Sequence, residues 1–127
     1  MAFMGSIICI YNKEGKVLLQ KRTADAPTYP SHWALFAGTV EEGERAMDTL
    51  KREMLEELEY ELQKPRFHFI IEHNGPKHFF SEEFKDGSKL VLHEGDKMRW
   101  FSLNELDELK IVPYHKEAIK RIISDFT

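Results

Sequence analysis

One cysteine, Cys9, stands in the whole chain. It excludes an intramolecular disulfide framework and, with it, the small stapled secreted folds; the expectation is a reducing compartment, by default the cytoplasm. No apolar run approaches the roughly 20 residues that span a bilayer. The stretch Met1 to Tyr11 lacks the positive region of a secretory signal and reads as a strand. Basic residues are outnumbered, 18 Lys and Arg against 22 Asp and Glu, for a net charge of −4. That argues against a nucleic-acid polymer as partner, which needs a basic stripe, while a small phosphorylated molecule needs only a few local cations. Seven glycines and five prolines are too few for a low-complexity chain, and no internal repeat is present. The six histidines lack cysteine partners or tight zinc spacing, so they read as solvated or hydrogen-bonded side chains.

What is present fits a packed globule: 127 residues, 42% hydrophobic and 12% aromatic. The expectation is one domain over 1–127 with a single core; monomer and homodimer are both compatible with it. Ile7 to Tyr11 and Lys16 to Arg22 read as strands joined by the turn Asn12 to Gly15. Thr23 to Ser31, with Pro27 and Pro30, reads as a loop near the site, and His32 to Phe36 as a short strand leading into a glycine loop. A helix is predicted from Glu44 to Leu58 with the apolar stripe Met47, Leu50, Met54 and Leu58. Phe67 to His73 and Lys77 to Phe84 form a hairpin turned at Asn74-Gly75-Pro76. Asp86-Gly87 turns the chain before a strand over Leu90 to His93, and Lys97 to Phe101 is a further strand. Ser102 to Glu105 has the capping-box pattern of a short helix. Ala118, Ile119, Ile122, Ile123 and Phe126 have helical spacing over Pro113 to Asp125. Strands mixed with two substantial helices suggest a layered α/β sandwich.

Residues 38 to 60 carry the chemistry. After Gly38, the predicted helix places Glu53, Glu56 and Glu57 within one turn, on the same face. Like charges at i,i+4 repel by about 0.2–0.5 kcal/mol, and a hard divalent cation such as Mg²⁺ or Mn²⁺ removes that penalty through carboxylate and carbonyl oxygens. Taken alone, the run is better explained as a solvated glutamate-rich face. The longer spacing decides between them.

Gly38, Glu44, Arg52, Glu53, Met54, Glu56 and Glu57 fall in register with G-x5-E-x7-R-E-U-x-E-E-x-G-U, where U is bulky and apolar. Six exact identities arise by chance at about 10⁻⁶ per starting position in a chain of this composition. The segment resembles the Nudix hydrolase signature, and its flanks, Val17 to Arg22, Tyr29 to Trp33 and Arg99 to Leu106, resemble segments beside it in that family. Two positions depart: Glu59 stands for the second glycine and Tyr60 for an aliphatic residue. Upstream, Phe36-Ala37-Gly38 replaces the usual Pro-Gly-Gly. Glu59 must either accept a left-handed cap, costing about 1 kcal/mol, or let the helix run on.

The resemblance implies a Nudix-like α/β/α sandwich with a mixed β-sheet between helices, and Mg²⁺-dependent hydrolysis of a nucleoside diphosphate derivative. It implies Glu53, Glu56 and Glu57 as metal ligands, with the Ala37 or Gly38 carbonyl a further candidate. Glu44 either ligates metal or favours the helix dipole. Arg52, at i,i+4 from Glu56, orients a carboxylate. Glu94, in His93-Glu94-Gly95-Asp96, is the candidate general base, against an exposed loop acid; Glu57 or Glu53 could serve instead. Arg22 either binds substrate phosphate or is a surface arginine. Trp33 and Trp100 read as core or wall.

The leading expectation is a nucleoside triphosphate pyrophosphatase similar to the MutT-like group, which cleans damaged nucleotides. An ADP-ribose or nucleotide-sugar hydrolase competes, because Pro76 lies where ADP-ribose hydrolases of this family carry a proline, although Asn74-Gly75-Pro76 is equally a hairpin turn. A non-catalytic nucleotide sensor or scaffold usually loses catalytic carboxylates, and this chain keeps all three.

Overall fold

The structure, a computed structural model, describes residues 2–93, 95 and 97–125. Its centre is β1 (Gly5–Tyr11), buried at every position but the last. Successive residues point to opposite faces of a strand, so Ile7 and Cys9 enter one core cluster and Ile8 and Ile10 another. Such a two-sided strand demands cover on both faces. On one side lies the helix α1 (Ala46–Leu58), burying Leu50, Met54 and Leu58; on the other lies α2 (Pro113–Ser124), burying Ala118, Ile119 and Ile122. Each large side chain so buried contributes about 1.5–3 kcal/mol. The like-charge contacts along α1 cost a few tenths each, so apolar burial carries the acidic crowd.

The sheet is mixed. β1 runs parallel to β6 (Pro76–Glu83), and β5 (Arg66–Glu72) pairs antiparallel with β6. On its other side β1 has two neighbours in succession. Its far end meets β2 (Val17–Lys21) through Tyr11 and Val17, and its first residues pair with β4 (Phe36–Thr39). β2 then pairs with β3 (Trp33–Ala34) and β7 (Lys97–Phe101). The α/β/α sandwich with a mixed sheet is therefore as expected.

Several boundaries differ for local reasons. The expected strand His32 to Phe36 is two strands, β3 and β4, because Leu35 leaves the ladder and donates its N–H to His115 Nδ1 at 3.1 Å. Gly38 accordingly sits in β4 rather than in a loop. Helix α1 begins at Ala46, not Glu44, since the Glu44 carboxylate folds back to accept the Glu41 N–H at 3.1 Å. Leu90 to His93 forms no strand. Val91 and His93 instead donate to the carbonyls of Leu58 (3.1 Å) and Glu57 (2.8 Å), two of the groups a helix end leaves unsatisfied.

Glu59 does take the left-handed conformation, with φ 54°. Its N–H bonds to Leu55 O, the single bond of the αL closure, and that of Tyr60 to Met54 O. Tyr60 packs into the same core as Met54, and its hydroxyl accepts the Lys85 N–H at 3.0 Å. The capping box at Ser102 and Glu105 is present, and it opens a 3-10 turn, Leu103–Glu108.

Candidate active site

Strand β4 and helix α1 meet where Gly38 has no side chain. A Cβ added there would lie 2.4 Å from Glu53 Cγ and 2.7 Å from Cδ. Glycine is thus required by the close approach of a carboxylate to the strand. The three glutamates of this turn occupy different surroundings. Glu57 is buried at 5% exposure, the Glu53 side chain is 18% exposed, and that of Glu56 is 59% exposed.

Arg52 makes the i,i+4 ion pair with Glu56 that its spacing suggested, and closer bonds besides. Its Nε donates to Glu44 Oε2 and one terminal nitrogen to Glu44 Oε1, both at 3.0 Å, while the other donates to Glu53 Oε1 at 2.9 Å. Glu56 stands 3.7 Å away, beyond hydrogen-bond distance. Sequence spacing along the helix overlooked Glu44 because Glu44 precedes it and curls back. The two-pronged pair is the strong kind: Arg52 holds the Glu44 carboxyl down at about 2, with help from the Glu41 N–H and Thr49. Both Glu44 oxygens are thereby engaged by protein donors.

Glu57, Ala37, Gly38 and Arg22 line one cavity of about 590 Å³, together with Lys77, His115 and the loop 23–28. Arg22 donates from Nε to the Thr28 carbonyl at 3.0 Å, which folds the loop over the cavity's edge. The loop Thr23 to Ser31 thus lies beside the site, as its position suggested. Glu53, Glu56, Arg52 and Glu44 stand outside the cavity lining, on the α1 side of it. Neither tryptophan lines it; Trp33 packs edge-on against Phe101, and Trp100 against Phe84.

Two residues that sequence reasoning passed over stand in that wall. Lys77 is 3% exposed. Its Nζ donates to the carbonyls of Phe3 (2.7 Å) and Asn74 (2.8 Å), and lies 3.9 Å from the centre of the Phe3 ring. Burial lowers its pKa. Phe3 reaches there because Gly75, at φ 102°, presents no Cβ to it, and Phe3 donates its N–H to Asn74 O at 2.9 Å. His115 is 5% exposed. Burial, then the nearby Arg22 and His73, push its pKa down to about 3. A signal for each was present: Lys77 shares the inward alternation of Phe79 and Ser81, and His115 heads the stripe continued by Ala118, Ile119 and Ile122.

Glu94 lies outside the described residues. Its neighbour His93 donates its backbone N–H to Glu57 O, and Gly95 lines the cavity. Glu59, the departure from the family glycine, places Oε2 2.5 Å from His93 Nε2.

The donors around Gly38 are all oxygens: the carboxylates of Glu53, Glu56 and Glu57 and the backbone carbonyls of Ala37 and Gly38. Such a set suits a hard divalent cation in kind. Among the described residues, however, no three Asp, Glu, His or Cys side chains converge closely enough to hold one; Arg52 engages Glu53 and Glu56 faces outward.

An acidic helix packed across a glycine strand, beside a polar cavity in an α/β/α sandwich, is the arrangement to set beside known proteins. The NUDIX domain matches residues 3–122, and the chain belongs to the Nudix family. An uncharacterized Nudix hydrolase, lmo0368, of Listeria monocytogenes is 33% identical over 81 residues, 63% of this chain and 43% of that protein. The nucleoside triphosphatase NudI of Escherichia fergusonii is 44% identical over 54 residues, covering 42% of this chain and 38% of NudI. These matches therefore span less than half of either relative. Among solved structures, the MutT protein of Methanosarcina mazei superposes with a TM-score of 0.82 at 19% identity, covering 99% of this chain and 96% of that one. The NUDIX domain of Shewanella oneidensis NrtR, solved with ADP ribose, gives 0.83 at 13% identity, covering 100% and 90%. At these identities the likeness is one of fold. Among the described residues no helix is long and apolar enough to cross a membrane.

Proposed function

We propose that this chain is a Mg²⁺-dependent pyrophosphohydrolase that converts a nucleoside triphosphate to the monophosphate and pyrophosphate. The observation that carries the reading is the buried carboxylate of Glu57, lining the cavity beside Ala37 and Gly38 with Arg22 in the same wall. A carboxylate in the cavity wall beside backbone carbonyls offers hard oxygen donors, the kind that a divalent cation carrying a polyphosphate takes. Glu53, Glu56, Glu57 and a carbonyl of Ala37 or Gly38 would hold the cation. When bound, it neutralises phosphate charge and acidifies a water.

The residues then divide the work. Arg52, locked to Glu44, holds Glu53 against the strand. Arg22 attracts a phosphate oxygen. A carboxylate, with Glu94 the candidate, accepts the proton of the water whose oxygen bonds to phosphorus as the bridging P–O bond breaks and pyrophosphate leaves. The name of the related nucleoside triphosphatase supports this substrate class. An ADP-ribose reading is the alternative within the same chemistry; its sequence argument, Pro76, opens β6.

Pyrophosphate release with Mg²⁺ across canonical and oxidised nucleoside triphosphates, ADP-ribose, nucleotide sugars and dinucleoside polyphosphates tests the reading. Turnover is expected on triphosphates, abolished by chelation, and reduced at least about 100-fold by Glu57→Gln. Unaltered turnover in Glu57→Gln would refute the metal assignment. Absence of turnover on any substrate would favour a nucleotide-binding role without catalysis.

A further inference from the structure

We propose that His115 reads a carbonyl oxygen on the substrate base through its Nε2–H, so that the cavity favours oxo bases over amino bases. This rests on the triphosphate reading above.

The ring's tautomer follows from its partner. Nδ1 accepts the Leu35 N–H at 3.1 Å, and a nitrogen that accepts a hydrogen bond carries no proton. In neutral imidazole the single hydrogen is then on Nε2. Its depressed pKa keeps the ring neutral at physiological pH. Among the described residues nothing in the protein takes the Nε2 hydrogen, and Nε2 is not one of the sealed, unpartnered atoms. It is therefore the atom His115 presents to the cavity it lines. A donor so enclosed requires an acceptor from whatever enters.

The surroundings select the acceptor. Carboxylates come from α1, so the polyphosphate with its cation belongs on that side, and the base is left to the α2 side, where His115 stands. Beside His115, Lys77 Nζ already donates to the carbonyls of Phe3, Asn74 and Gly75. A phosphate there would need an uncommitted cation, whereas one neutral N–H suits a neutral oxygen. An exocyclic amine would set donor against donor in a positive surrounding. The rings of Phe3 and Tyr114 line the same cavity, which suits a flat base.

Inosine and adenosine triphosphates differ at position six, oxo against amino, and serve as the probes, with uridine and cytidine triphosphates as a second pair. Wild type is expected to favour the oxo member about 10- to 100-fold in kcat/KM. His115→Asn can keep an acceptor for Leu35 N–H while removing the distal donor. It should lose that factor on inosine triphosphate, mainly through KM, and stay within about 3-fold on adenosine triphosphate. His115→Gln, which restores an N–H near Nε2, should retain part of the preference. Equal efficiency on both members in wild type overturns the inference alone, as does His115→Asn slowing both equally. A wild type inactive on all triphosphates removes the functional reading and the inference together. Should the variants not fold, product inhibition of wild type decides: inosine monophosphate must inhibit at lower concentration than adenosine monophosphate.

Discussion

Glu44 and His115 show how far a residue's chemistry depends on a partner distant in sequence. Glu44 is an acid in an exposed turn until Arg52 binds both its oxygens. His115 is a helix residue like others until the chain kinks at Leu35 and hands it an N–H. The second case has a measurable consequence. His115 has an ordinary pKa of 6.5 and a folded one near 3, lowered chiefly by burial. Between these values the unfolded chain binds a proton that the folded chain refuses. Stability therefore falls as pH drops below 6.5, with a slope of up to about 1.4 kcal/mol per pH unit for this one group. Urea midpoints between pH 6.5 and 5, above the range where carboxylates begin to protonate, should show the slope in wild type and a shallower one in His115→Asn.

At the scale of elements, α1 ends on a compromise. Its left-handed cap is occupied by Glu59, where glycine would avoid about 1 kcal/mol of strain. The Glu59 side chain meets His93, and both side chains are about half exposed, so that contact contributes about 0–1 kcal/mol. Glu59→Gly is expected to leave stability within about 0.5 kcal/mol of wild type, and to raise it by about 1 kcal/mol when His93→Ala has already removed the contact. Denaturant melts of the four proteins in this cycle check it. The same helix marks what could be read from sequence. Its apolar stripe and its carboxylates were legible, because they depend on spacing within one periodic segment; the close approach of Gly38 to Glu53 was not. Both hairpins were legible too, through Asn12 to Gly15 and Asn74-Gly75. The division of β3 from β4 was not, because it depends on His115, eighty residues away. Nor was the docking of Val91 and His93 on the end of α1: the short apolar run Leu90 to Leu92 resembles a strand, and only the unsatisfied helix carbonyls show what it binds. Arg52 was placed on the right helix face and does form an ion pair with Glu56, but its tighter pair with Glu44 was missed, since helical spacing says nothing about a residue before the first turn. Lys77 and His115 were hidden by patterning that treats inward positions as apolar.

The whole molecule is two cores divided by one sheet, with α1 on one face and α2 on the other, both reaching the same cavity. A cation bound among the α1 carboxylates would relieve repulsion present only in the folded state, so Mg²⁺ alone should stabilise the protein by mass action. The thermal midpoint is expected to rise with Mg²⁺ concentration in wild type without nucleotide, and not in Glu57→Gln; differential scanning fluorimetry reads both. An equal response in the two proteins would place the ion elsewhere.

The anchoring of Phe3 on the β5–β6 turn has a practical side. Because that residue forms part of the cavity wall, anything joined ahead of it begins at the rim. An affinity handle there would stand beside the entrance and could be mistaken, in a kinetic assay, for intrinsic selectivity. Purification through a handle placed after α2, or removal of an upstream one before comparing nucleotides, keeps the wall as the sequence builds it.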